Sequence, residues 1–116
     1  METSASLGSP VPLQHRPNVL PLKGEIDLHV SPGIIEILTG MIKKTPERIV
    51  IDLSGATYID SAGLAALIIA MREVESYGGK FFLTGLNETV RSVLESSRLE
   101  QIFRIFPDVD AALATS

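Results

Sequence analysis

The stretch Arg48-Ile49-Val50-Ile51-Asp52-Leu53 constrains this chain more than any other feature. Short apolar runs rich in β-branched residues, with no polar alternation, belong to strands buried on both faces. Such a strand needs neighbours, and the flanking segments predict them. Val19 to Gly24 reads as a short strand, with Pro21 restricting its pairing on one side. Lys80 to Thr84 reads as a second buried strand and Ile102 to Phe106 as a last short one. Between them lie stretches with apolar residues at helical spacing. Ser31-Pro32 opens the first of these, which carries Ile34, Ile35, Leu38, Met41 and Ile42 and closes on Lys43 and Lys44 before Pro46. Asp60 caps the second, with Leu64, Leu67, Ile68, Met71 and Val74 inward, and Gly78-Gly79 stops it. Asn87 caps a third over Val90, Val93 and Leu94, and Asp108 opens a C-terminal helix through Leu113. Glu25 to Val30 and Ser54 to Ile59 read as loops.

Strands alternating with helices at this spacing imply right-handed crossovers and a mostly parallel sheet. The expectation is one small α/β layer domain over residues 19–116, four strands with about four helices. A flexible Ser/Pro-rich tail, residues 1–18, broken by Pro10, Pro12 and Pro17, precedes it. At 116 residues there is no room for a second core.

Composition removes several function classes. Ten Lys and Arg against fourteen Asp and Glu give a net charge of -4, which argues against a nucleic-acid partner. No Cys is present, so disulfides, thiolate nucleophiles and Cys-based metal sites are out. The start of the chain lacks a basic region followed by an apolar one, and the longest apolar stretch, Ala62 to Met71, is about half of what spans a bilayer. A soluble cytoplasmic chain without direct membrane insertion is the expectation.

In open parallel sheets, ligands and partners gather at the carboxyl ends of the strands. Three segments are expected to meet there: Gly24 to Ser31, Ser54 to Gly63, and Thr84 to Glu88. The middle one places the Ser61 hydroxyl on the first turn of a helix, among small residues that leave it uncovered. A nucleophilic serine needs a base and an orienting group. Here Ile59 takes the place of the first Gly of the G-x-S-x-G elbow, and His29 is the one histidine near the rim. Phosphate-cradling glycine motifs are missing. Glu25, Asp27 and His29 alternate, but three O/N ligands in one loop describe a solvated rim better than a metal site. No cofactor and no metal are expected.

The alternative is that Ser61 is itself modified. A phosphoryl group there adds a charge of about -1.5 to -2 beside the free amides of a helix start. The helix dipole favours it and Asp60 opposes it, each by about 1 kcal/mol, so the fold tolerates the change. A partner docked on this rim would feel the charge in full.

The run from Val50 to Leu64, V-I-D-L-S-G-A-T-Y-I-D-S-A-G-L, closely resembles the core signature of the STAS domain, shared by anti-sigma-factor antagonists and the tails of sulphate transporters. Leu22-Lys23-Gly24-Glu25-Ile26-Asp27 resembles the family's L-x-G-E-L-D stretch, and the likeness extends to about Ala112. The resemblance implies a STAS fold and a regulator that is not an enzyme. In the family, an antagonist binds an anti-sigma factor with serine kinase activity and so frees a sigma factor. Phosphorylation of the serine in D-S-x-G ends the interaction, and a serine phosphatase restores it.

Carried onto this chain, Ser61 matches the phosphorylated position and Asp60 its neighbour. Gly24, Glu25 and Asp27 match the loop that contributes to the partner surface. With their rim neighbours the candidate partner-binding residues are Gly24, Glu25, Asp27, His29, Ser54, Thr57, Asp60, Ser61, Ala62, Gly63 and Leu64. The free protein is expected to be a monomer. A second reading is a STAS subunit of a membrane ABC-type lipid transporter; such subunits often lack the phosphorylated serine, so Ser61 favours the regulator.

Overall fold

The computed structural model describes residues 16–115; the proposed tail therefore lies outside the described residues except for Arg16 to Asn18. Four strands, β1 (Val19–Ile26), β2 (Arg48–Ile59), β3 (Lys80–Thr84) and β4 (Arg104–Phe106), form one sheet in the order β1-β2-β3-β4. Every neighbouring pair is parallel. Helices α1 (Ser31–Ile42), α2 (Ser61–Ser76) and α3 (Glu88–Ser96) follow the first three strands, and the short α4 (Val109–Leu113) follows β4.

Side chains alternate across a strand, and the two faces of the sheet bury different partners. Ile49, Ile51 and Leu53 of β2, with Phe81 and Leu83 of β3, point to one face. There they pack on Ile34 and Leu38 of α1, Leu67 and Val74 of α2, and Val90 and Leu94 of α3. Val50 and Phe82 point the other way, onto Ala112 of α4. The Phe106 ring meets Phe82 edge-on at 4.9 Å between centroids, and the Arg104 guanidinium lies 4.9 Å over Phe82. This explains the unbroken apolar run in β2: both of its faces are covered, and Ile49, Val50, Ile51 and Leu53 are all fully buried.

The expected elements are present, with four shifts of boundary. β2 does not end at Leu53 but continues to Ile59, and β1 runs past Gly24 to Ile26, because Lys23, Gly24, Glu25 and Ile26 pair with Gly55, Ala56, Tyr58 and Ile59. Register irregularities on either side of Lys23 and Gly24 break the two-residue alternation that would mark a strand. Ser31 is the first residue of α1 and not its cap. Val30 holds the cap position without a side-chain bond, and the buried Ser31 hydroxyl donates to the Leu28 carbonyl. The last strand shortens to Arg104–Phe106, because a 3-10 turn over Leu99–Gln101 takes up the chain before it.

The other caps stand where the residue types predict. Asp60, Asn87 and Asp108 each accept from the backbone N–H three residues on. α2 ends in a Schellman arrangement: Gly79 N–H donates to the Val74 carbonyl and Gly78 N–H to that of Glu75, with Gly78 at φ 89°. No helix among the described residues is long and apolar enough to cross a membrane.

Candidate functional site

The carboxyl ends of β1, β2 and β3 come together, as the three predicted segments require. Asp60 makes the first junction. Its backbone N–H donates to the Ile26 carbonyl at 3.1 Å, joining the ends of β2 and β1. Its carboxylate is split between two donors: Oδ1 accepts from Gly63 N–H at 3.0 Å, and Oδ2 from Leu28 N–H at 3.1 Å. Asn87 makes the second junction. Its Oδ1 accepts from Val90 N–H at 2.8 Å, while Nδ2 donates to the Ala56 carbonyl of β2 at 2.5 Å.

Gly63 allows the close approach at this end. A Cβ on Gly63 would lie 2.5 Å from the Ile26 carbonyl oxygen and 2.9 Å from side-chain carbons of Ile26 and Ile59. Helix α2 therefore starts against the floor of the sheet, with Ser61 turned to solvent between the half-buried Asp60 and Ala62. Ser61 is exposed, and among the described residues its hydroxyl has no hydrogen-bond partner. It sits on the first turn of a 16-residue helix, where amides lack carbonyl partners and the dipole favours an anion.

The loop between β1 and α1 is also tied internally. Asp27 Oδ1 accepts from His29 N–H at 3.0 Å and the Asp27 carbonyl accepts from Ser31 N–H at 2.9 Å. The outcome is a short turn that presents Leu28, 69% exposed, and Val30, 41% exposed. His29 is exposed, and among the described residues neither its ring nor the Ser61 hydroxyl has a hydrogen-bond partner. Among the described residues no group of three His, Asp or Glu side chains is placed to hold a metal.

The predicted partner residues thus fall into two sets. Glu25, His29, Ser54, Thr57 and Ser61 are exposed, with Gly24, Asp27, Asp60 and Ala62 half-buried beside them. Gly63 and Leu64, also expected on the contact surface, are buried in the free chain, where they hold α2 on the sheet. Residue-type reasoning missed Leu28, Val30 and Tyr58, the last 44% exposed near the end of β2. Apolar residues in a polar, alternating loop are the signal that could have found Leu28 and Val30.

Residues 10–112 match the family model for the STAS domain. The chain belongs to the STAS family. A STAS-domain containing protein of Pseudomonas aeruginosa is 36% identical over 61 residues, covering 53% of this chain and 60% of its own length. BtrV of Bordetella bronchiseptica, which bears the name of an anti-sigma factor antagonist, is 32% identical over 77 residues, covering 66% of each. The matched stretch is therefore a little under two thirds of those relatives' lengths. Among solved structures, an anti-sigma factor antagonist from Mycobacterium paratuberculosis superposes with a TM-score of 0.76 at 26% identity, over 83% of this chain and 81% of its own. The parallel sheet with α2 starting at the Asp60-Ser61 pair is thus the STAS fold, with Ser61 on its exposed rim.

Proposed function

We propose that this protein is an anti-sigma factor antagonist acting in the cytoplasm. Its Ser61 rim docks an anti-sigma factor with serine kinase activity, phosphorylation of Ser61 ends the complex, and a serine phosphatase resets it. The observation that carries this reading is the exposed, unbonded Ser61 hydroxyl on the first turn of α2. Among the described residues no base is hydrogen-bonded to it, and its exposure suits it to accept a phosphoryl group. The names of BtrV and of the Mycobacterium structure support the antagonist role.

The chemistry follows from the surroundings. The free oxygen of Ser61 attacks the terminal phosphorus of ATP bound by the kinase; ADP leaves, and the hydroxyl proton passes to a base of the kinase. The product carries about two negative charges at a helix start that tolerates them. Across a docked interface those charges lose water and meet a surface shaped for a neutral hydroxyl, which is costly enough to release the partner. Incubation with ATP and the anti-sigma factor kinase of the native host should add one phosphate to the wild-type protein and none to Ser61→Ala. Undiminished labelling of the alanine variant would falsify the assignment.

A further inference from the structure

Asp60 spends its two carboxylate oxygens on different elements. Oδ1 serves the start of α2 through Gly63 N–H, and Oδ2 reaches across 32 residues of sequence to Leu28 N–H. A helix cap needs only the first of these bonds. Among the described residues, the second links the Asp27–Val30 turn sideways to the Ser61 end of α2, whereas the His29 and Val30 amides bond to Asp27 within the turn. Leu28, whose amide is held, is also the most exposed large apolar side chain among the described residues. An apolar side chain held on an exposed turn presents a preorganised contact to a docking partner.

We propose that Asp60 is a positioning residue for partner binding: its Oδ2 fixes Leu28 and Val30 beside Ser61, so that contact surface and modification site form one rigid patch. This rests on the docking role proposed above for the Ser61 rim. A flexible turn would have to be ordered on binding, at a cost in affinity; the carboxylate orders it beforehand.

Two substitutions separate the loop tie from the helix cap. Asp60→Asn keeps an oxygen for Gly63 N–H, and Asn caps helices as well as Asp does, but it turns an amide NH2 toward Leu28 N–H. Asp60→Ser caps with a hydroxyl too short to reach Leu28. Amide hydrogen exchange measured by NMR on the free proteins should show Leu28 exchanging about tenfold faster or more in both variants, since bonds to charged acceptors are the stronger ones. Gly63 should remain protected in at least the serine variant, and the melting temperature should stay within a few degrees of wild type. Calorimetric titration with the native host's anti-sigma factor kinase should then show about tenfold weaker binding.

Leu28 exchange equal to wild type in both variants overturns the proposal, and so does faster exchange with undiminished affinity. A wild-type protein that binds no anti-sigma factor, while Leu28 still exchanges faster in the variants, sinks the antagonist reading and leaves the loop tie standing.

Discussion

Replacing Gly63 with alanine probes the geometry that makes the rim. The added methyl would lie 2.5 Å from the Ile26 carbonyl oxygen, whereas carbon–oxygen contacts ordinarily begin at about 3.3 Å. Something must give by roughly 0.8 Å. The carbonyl is poorly placed to move, because it also accepts from Asp60 N–H and sits at the paired end of β1. Ile26 and Ile59 side chains close the other sides at 2.9 Å, and both are fully buried.

Overpacking of this kind costs about 1–3 kcal/mol, and strain on the Asp60–Ile26 bond adds up to about 1 kcal/mol. The helix preference for alanine returns at most about 1 kcal/mol. The central value is a net loss of about 2 kcal/mol, equivalent to a melting temperature lower by roughly 8 °C for a chain of this size. Gly40→Ala is the matched control. It is a helical glycine in α1 with nothing within 4 Å of its Cβ position, so the same substitution should gain about 0.5 kcal/mol. Thermal and urea unfolding followed by circular dichroism give both values. Opposite signs are the expected result. A Gly63→Ala protein as stable as wild type would refute the claim that α2 starts in contact with the sheet floor.

Asn87→Ala removes both the α3 cap and the bond to the Ala56 carbonyl; it should cost about 1–3 kcal/mol in urea unfolding, and a loss below about 0.5 kcal/mol would contradict the bridging role. Burial raises the Tyr77 phenol above its ordinary value of 10.0, so the folded state holds that proton more tightly. Its stabilising contribution is therefore intact below pH 10 and lost as the pH climbs through the raised folded value. Ultraviolet titration should find Tyr77 ionising above 10, and a midpoint at or below 10 counts against it. Tyr77→Phe, which deletes the 2.8 Å bond to the Pro46 carbonyl, should cost about 1 kcal/mol. Ser61→Asp should shift the melting temperature by less than about 3 °C, because dipole attraction and repulsion from Asp60 offset each other; a larger drop would make the hydroxyl structural.

Much of this architecture is legible before any coordinates. β3 occupies the predicted Lys80–Thr84, since a two-sided apolar run bounded by Gly79 and Gly85 admits few other readings. Asp60, Asn87 and Asp108 announce their helices because a short acceptor before an apolar period has one obvious use. The paired ends of β1 and β2 are not legible. Ser54, Gly55 and Thr57 look like loop residues because they face solvent, and only the long-range pairing with Lys23 to Ile26 makes them strand. Ser31 misleads for a similar reason: Asp27 closes the turn before α1 and frees the serine hydroxyl for a bond to the Leu28 carbonyl. At the site, the position of Ser61 follows from its place after a helix cap. The prominence of Leu28 depends on a bond to a residue 32 positions away, which no local pattern encodes.

The most direct measurement is the affinity of one native anti-sigma factor for this protein before and after a single phosphate is placed on Ser61. Calorimetry should record a loss of about a hundredfold or more, at 1.4 kcal/mol per decade, with circular dichroism unchanged between the two forms. Equal affinity for both forms would contradict the account.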